Sequence, residues 1–162
     1  MTTFDQLFDI DRPPIRAARE YVVTVRAGGG WEAFAGALTR LLTRCSEEGL
    51  WWATIDLASE RTPAFAHLGP DDNNMVWTEV SSEFYLPGFT ITDKQVDALH
   101  RLGWDDPLDE PGMENYHRSW NAADLEQAVV HVVATLVDVY GFDDNDEVRV
   151  LVEPFDVEPA PL

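Results

Sequence analysis

Apolar residues recur at helical spacing in the first third of the chain. We predict a first helix after Pro13 and Pro14, which suit a helix start because N–H groups are unpaired there anyway. The run 21–25 also has the composition of a strand, so both structures stay open for this segment. A second helix is predicted from Trp31 to about Glu48, with Gly49 as its stop. Its apolar stripe comprises Trp31, Phe34, Ala35, Leu38, Leu41, Leu42 and Cys45.

Alternation of apolar and polar residues then predicts three short strands, at residues 50–57, 63–68 and 75–80. Turn-forming residues at 69–74 predict a hairpin loop between the second and the third strand. Because these strands are close together in sequence, we expect them to pair antiparallel. A further extended piece is expected at 83–86, before Pro87 and Gly88.

The second half of the chain returns to helical spacing. Thr92 and Gln95 form a capping box that begins a third helix, and Gly103 ends it. The acidic stretch from Trp104 to about Trp120 contains prolines and is predicted to be irregular. A fourth helix is predicted from Asn121 to Tyr140. It is apolar nearly all round, so we expect burial on more than one side, either in the core or against the second subunit of a symmetric homodimer.

A last strand is predicted at 147–152, which completes the order α-α-β-β-β-α-α-β. This order predicts an α+β fold with an antiparallel sheet and its helices segregated to one side. The length of 162 residues fits one domain, which we place at 13–152. The segments 1–12 and 153–162 are expected to be flexible, the second because it is rich in proline and acids.

Charge limits the partners that the chain can bind. The formal net charge is −19, and nearly all of it falls after residue 50. Binding to nucleic acid or to an anionic membrane is disfavoured, because both need clustered Lys and Arg. Such a field would attract a basic partner, or it would simply keep the protein dispersed. A lone cysteine, the lack of a targeting segment and the lack of a long apolar run lead us to expect a cytoplasmic protein.

No catalytic or metal site is predicted. His67, His100, His117 and His131 lie on different elements without the paired spacing of zinc ligands. The acidic run 143–147 resembles the start of a calcium loop but lacks its glycine and its late glutamate. Cys45 falls on the apolar stripe of a helix, where an inert buried thiol is the ordinary case. We therefore expect neither an enzyme nor a cofactor.

Several short pieces, taken in order, carry a family resemblance. They are Trp31-x-x-Phe34, Phe65-Ala66-His67-Leu68, Thr78-Glu79-Val80-Ser81-Ser82 with Tyr85-Leu86, Leu102-Gly103-Trp104-x-x-Pro107, Asn115-Tyr116 and Leu136-x-x-x-Tyr140-Gly141. Over roughly residues 15–152 this pattern resembles the YbjN-like and type III secretion chaperone-like (TY-Chap) family of putative peptide-binding chaperones of actinobacteria. The chain departs from it at Glu83, where the family usually has asparagine, and at His67, where glutamine is common.

The resemblance implies a type III secretion chaperone fold that usually dimerises and binds unfolded segments of a partner, without catalysis or cofactor. We assign a structural role to Gly103, Trp104 and Pro107. Alternation puts at least one of Trp51 and Trp52 on the sheet face away from the helices, and aromatic rings are enriched at binding surfaces. The candidate peptide-binding residues are Trp51, Trp52, Phe65, His67, Trp77 and Glu79. Placement of all three tryptophans in the core stays open.

Two functions of different classes follow. The first is a non-enzymatic peptide- or protein-binding chaperone or adaptor that holds segments of a partner polypeptide. The alternative is an acidic regulatory interaction domain that binds and modulates a folded partner protein. Binding of a client only when it is unfolded would favour the first function, and binding of a native basic protein would favour the second.

Overall fold

The computed structural model describes residues 3–9, 18–48, 51–71, 73–84 and 86–154. Within these ranges no helix is long and apolar enough to cross a bilayer. The helices are α1 (Phe4–Leu7), α2 (Trp31–Glu48), α3 (Asp93–Arg101) and α4 (Leu125–Asp138). The strands are β1 (Arg19–Thr24), β2 (Trp51–Leu57), β3 (Ala66–Asp71), β4 (Met75–Val80), β5 (Tyr116–Asn121) and β6 (Glu147–Pro154).

The strands form one sheet of six, in the spatial order β1-β6-β2-β3-β4-β5, and each neighbouring pair is antiparallel. Along β2 the side chains alternate strictly between buried and half-buried, because successive residues of a strand point to opposite faces. Helices α2 and α4 pack together over the buried face. The predicted α+β class with an antiparallel sheet is confirmed.

The core lies between this face and the helices. Strand β2 contributes Trp51, Ala53, Ile55 and Leu57, and β6 contributes three valines. Each large apolar side chain that is fully removed from water contributes roughly 1.5–3 kcal/mol. The helix residues buried against the strands are Phe34, Leu38, Leu41 and Leu42 of α2, and Val129, Val132, Val133 and Leu136 of α4.

The helix predicted before residue 26 is wrong, since Arg19–Thr24 forms β1. Tyr21 and Val23 are buried, whereas Val22 between them is half exposed, which is the period of a strand. The β-branched residues of this run favour extended structure, and the whole of β1 pairs with β6. The predicted helix start at Pro13 and Pro14 lies outside the described residues.

The stretch from Trp104 to Trp120 is also not irregular throughout, because β5 occupies its end and pairs along the full length of β4. Tyr116 and His117 are both buried, so burial does not alternate at the start of β5. The His117 ring stacks on Trp77, and its backbone exchanges hydrogen bonds with Asp105, in the loop of residues 104–115, on the outer edge of β5. Of the extended piece expected at 83–86, the described residues Glu83 and Phe84 are not in a strand, and the Leu86 N–H donates to the Glu83 carbonyl.

Part of the segment predicted to be flexible, residues 1–12, is packed. Thr3 and Gln6 form a capping box for α1, and Phe4 and Phe8 are buried against Phe34 of α2. The predicted capping box of α3, formed by Thr92 and Gln95, is confirmed. The predicted stop at Gly49, the hairpin residue Asp72, Tyr85 and the end of the chain after Pro154 lie outside the described residues.

Trp104 fills the space between α3, α4 and the 104–115 loop. Its side chain is 3% exposed, and its indole N–H donates to Thr135 Oγ1 at 2.9 Å. Gly103 ends α3 with a φ of +86°, and a Cβ there would lie 2.9 Å from a guanidinium nitrogen of Arg118. Pro107 is half-buried in the same loop.

We predict that Trp104→Ala lowers the free energy of unfolding by about 3–5 kcal/mol, because it leaves a large cavity in the core. Trp104→Phe keeps most of the ring and should cost clearly less. Denaturant titrations of both variants measure the difference. A loss below about 1 kcal/mol for Trp104→Ala would contradict a structural role for the ring.

The apolar surplus on α4, which led us to expect a dimer, is largely covered within the chain. The buried residues of α4 pack against α2 and the sheet, and Val130 is the large apolar residue of this helix that is exposed. A symmetric homodimer stays a prediction. Light scattering at high micromolar concentration should then give about twice the chain mass, and a clean 18.3 kDa species would contradict it.

Candidate functional site

The sheet has a second face, opposite the helices, which we call the open face. Strand β2 presents Trp52, Thr54 and Asp56 there, and all three are half-buried. The neighbouring strands present His67 and Gly69 of β3 and Trp77 and Glu79 of β4. In the part of the chain that the structure describes, the helices of the core lie on the other face.

The register of the strands groups these residues into rows. Trp52, Gly69 and Trp77 lie side by side in one row. The indole of Trp52 lies flat over Gly69, where a Cβ would approach its Cε3 to 1.9 Å. A glycine at this position therefore lets the ring lie down on the sheet, and a side chain there would push the ring away.

The adjacent row contains Thr54, His67, Glu79 and His117. The imidazole of His67 lies between two rings, with centroid distances of 5.4 Å to Trp52 and 4.8 Å to Phe65. Trp77 stacks on the ring of His117 at 5.0 Å. Aromatic side chains therefore continue across three neighbouring strands of the open face, and each of Trp52, Phe65 and Trp77 keeps part of its surface exposed to solvent.

Hydrogen bonds hold the polar groups among these rings. The Trp77 indole N–H donates to Glu79 Oε1 at 2.7 Å, and the Asn115 amide donates to Glu79 Oε2 at 3.4 Å. Thr54 Oγ1 and His67 Nδ1 share a hydrogen bond of 2.9 Å. The carboxylate of Glu79 is thereby fixed in place at the centre of the face, although it is only half-buried.

The 104–115 loop forms a wall beside these strands. Together they enclose a cleft of about 350 Å³, the open-face cleft, lined by Trp52, Phe65, His67, Glu79, Gly112, Glu114 and Asn115. Asn115 anchors the wall, since its side-chain oxygen accepts from the Ser82 N–H at 3.1 Å. The Ser82 hydroxyl also donates to the Glu114 carbonyl. Both Ser82 and Asn115 are buried, so the wall is attached rigidly to the end of β4.

Burial lowers the pKa of His67 below the ordinary value, because the charged imidazolium would lose its hydration. The negative charge of Glu79 acts in the opposite direction but does not outweigh burial. The imidazole, held between the rings of Trp52 and Phe65, adds to the stacking surface of the open face.

The structure brings five of the six predicted site residues together. Trp52, Phe65, His67 and Glu79 line the open-face cleft, and Trp77 adjoins it through Glu79. Trp51 lies on the opposite face, where it is 3% exposed and its indole N–H donates to Ser46 Oγ.

Sequence reasoning missed the contribution of the loop, above all Glu114 and Asn115, and the role of Gly69. Asn115 belonged to the family resemblance. Its place beside Glu79 depends on β5, which was not predicted.

The chemistry of the cleft suits binding. Among the described residues no group of three His, Cys, Asp or Glu side chains is placed to hold a metal ion, and Cys45 is buried on α2. Aromatic faces beside a fixed carboxylate stack on apolar or planar groups and attract cations. The open-face cleft therefore offers stacking surface next to a negative charge.

Comparison with known proteins gives one family. The family model TY-Chap3, described as T3SS (YopN, CesT) and YbjN peptide-binding chaperone 3, matches residues 25–151, well over half of the chain. No curated protein and no solved structure matches the chain. The resemblance to the TY-Chap chaperones is thereby confirmed.

We predict that His67 makes stability depend on pH. Because its pKa is lowered on folding, the unfolded chain binds a proton more readily than the folded chain. Above about pH 6.5 His67 is uncharged in both states and does not lower the free energy of unfolding. As the pH falls below this value, protonation of the unfolded chain lowers the free energy of unfolding. In chemical denaturation from about pH 7 to about pH 5, His67→Gln should lose less stability than the unaltered protein.

Val130→Ser is the control, because Val130 is exposed on α4 and neither valine nor serine titrates in this range. This variant should keep the pH dependence of the unaltered protein. An identical slope for His67→Gln and the unaltered protein would show that His67 does not contribute.

Proposed function

The chain belongs to the TY-Chap3 family of peptide-binding chaperones, and we propose that it holds an extended segment of a partner polypeptide on the open face of its sheet. The bound segment lies across the aromatic rows and enters the open-face cleft. The protein acts by binding and leaves its client chemically unchanged.

The observation that carries the proposal is the grouping of partly exposed rings around the cleft. Trp52, Phe65 and Trp77 come from three places in the sequence. The strand register places Trp77 opposite Gly69, on which Trp52 lies, and Phe65 and Trp52 both contact the His67 ring. Large rings with few rotatable bonds bury much area at small entropic cost, which is why they dominate binding surfaces. Fixed hydrogen bonds to Glu79 orient Trp77 before a client arrives, so little ordering is needed on binding.

Charge favours basic segments. Glu79 and Glu114 line the cleft, and Glu153 is close enough to act on the charge of His67. The nearest arginine of the open face, Arg149, is already bound to Asp56 by two hydrogen bonds of 2.8 and 2.7 Å. Ion pairs with aspartates also engage Arg26, Arg40 and Arg61. The excess carboxylates therefore set the local potential, which attracts Lys and Arg side chains.

A regulator of a folded partner differs from a chaperone in the conformation of the polypeptide that it binds. A chaperone binds segments that are extended and loses affinity when the client folds. A regulator binds the native surface and ignores short segments of it. Peptides and intact proteins of the same sequence therefore separate the two functions.

We predict that short synthetic peptides that combine apolar and basic residues bind the protein, and that their affinity falls with salt. Fluorescence anisotropy of labelled peptides measures this. Trp77→Ala should weaken binding about tenfold or more, as expected for a central aromatic contact. Glu79→Gln should weaken the binding of basic peptides more than that of neutral peptides, because it removes the fixed negative charge.

Val130→Ser is the matched control, since it alters an exposed apolar residue on α4, on the other side of the sheet. Its affinity should equal that of the unaltered protein. If no peptide binds above background while an intact folded protein does, the regulatory function replaces the chaperone function.

A further inference from the structure

A second cleft lies next to the open-face cleft. It has a volume of about 550 Å³ and is formed by the segment that follows β4 and by the 104–115 loop. Its apolar lining comprises Phe84, Ile91, Val96, Pro107 and Leu108. We call it the Phe84 cleft.

Two of the apolar residues that line this cleft, Phe84 and Leu108, are exposed to solvent. Among the described residues, the large hydrophobic side chains that are exposed are Leu7, Val22, Phe84, Leu108 and Val130. Phe84, at 65%, and Leu108, at 44%, line the same cleft, whereas the other three lie on α1, β1 and α4. Single exposed apolar side chains scattered over a surface are ordinary, whereas exposed apolar side chains grouped around a cleft indicate a binding surface.

The rim of the Phe84 cleft is acidic. Glu83, Asp109 and Glu114 line it, and none of the residues described as lining it is basic. One oxygen of Glu83 accepts a hydrogen bond from the Ile91 N–H at 2.6 Å, which fixes this carboxylate at the rim. Burial, together with the charges of Asp106 and Glu83, raises the pKa of the Tyr116 hydroxyl in the wall. A cation placed at this rim would meet a negative potential beside apolar surface.

A rigid wall joins the two clefts. Glu114 lines both of them, and its backbone carbonyl accepts from Ser82, which lines the Phe84 cleft. Asn115 bonds to Ser82 on one side and to Glu79 of the open-face cleft on the other. Because these contacts are largely buried, the clefts keep a fixed relation to each other.

We propose that the Phe84 cleft is a specificity subsite that takes one large apolar side chain of the client, and that its acidic rim selects clients with Lys or Arg next to that side chain. The inference rests on the proposed function, because the same extended segment occupies the open-face cleft and crosses the wall at Glu114. Charge complementarity and the paired exposure of Phe84 and Leu108 identify this occupant.

Three synthetic peptides that differ at two positions test the subsite. The first carries leucine beside arginine, the second carries serine beside arginine, and the third carries leucine beside glutamate. The protein variants are Phe84→Ser and Leu108→Ser for the apolar contact and Asp109→Asn for the rim. Val130→Ser and Asp97→Asn are matched controls at exposed positions on α4 and α3.

We expect Phe84→Ser and Leu108→Ser to weaken the binding of the leucine–arginine peptide about tenfold. The affinity for the serine–arginine peptide should stay nearly unchanged. Asp109→Asn should reduce the preference for arginine over glutamate, while both controls keep it. All the substituted side chains are exposed, and thermal unfolding of each variant verifies that the fold is intact.

Different failures have different meanings. If both apolar variants bind every peptide like the unaltered protein while Trp77→Ala weakens them, the subsite is refuted and the proposed function stands. Equal losses for the leucine and serine peptides also refute the subsite, because its pocket then does not hold the leucine. If none of the peptides binds the unaltered protein, both the subsite and the proposed function are refuted.

Discussion

The two-residue period of β2 sends Trp51 into the core and Trp52 onto the open face, and the pairing register extends this division to every neighbouring strand. A slip of one residue would exchange the two faces, exposing Ile55 and Leu57 and burying Asp56. The hydrophobic contact of one face with α2 and α4 therefore sets which side chains the other face presents. Core packing and site geometry are two results of the same alternation.

The segments that resemble the TY-Chap family serve mainly to hold the site in place. The Tyr140 hydroxyl donates to the Ser81 carbonyl, and the Ser81 side chain bonds to both backbone groups of Phe65. Ser82 and Asn115 anchor the loop wall in the same region. These polar groups are buried and mutually satisfied, and such networks specify one arrangement of the chain. The proposed contact surface combines residues of these segments, namely Phe65, His67 and Glu79, with residues outside them, among them Trp52 and Glu114.

The local pattern of apolar and polar residues was sufficient to predict an element where one face of that element is buried and the other is solvated. It predicted α2, the capping box of α3, β2 and β4. It placed β3 three residues too early, because Gly69, Pro70 and Asp71 were assigned to the hairpin loop but pair with β4. It failed at β1, where β-branched residues at overlapping helical and strand spacings left the choice to the long-range pairing with β6. It failed at β5 because the acidic, proline-containing stretch before it indicated a loop, whereas the strand forms through its long-range pairing with β4. For the candidate site, the alternation within each strand could predict which residues share a face of that strand. Which of Trp51 and Trp52 points outward depends on the position of α2, and the loop wall depends on the unpredicted β5.

The position of β6 has a consequence for how the chain is made. Strand β1 ends at Thr24, and its partner in the sheet begins only at Glu147. During synthesis from the amino terminus, β1 therefore emerges long before the strand that joins it to β2. Until β6 is made, β2 presents an unpaired edge next to the aromatic face, and an exposed strand edge can pair with another chain. A chain whose sheet closes this late folds slowly, because the loop between the two partners is long. Before β6 is made, the first strand of this protein is itself an extended segment without its partner in the sheet.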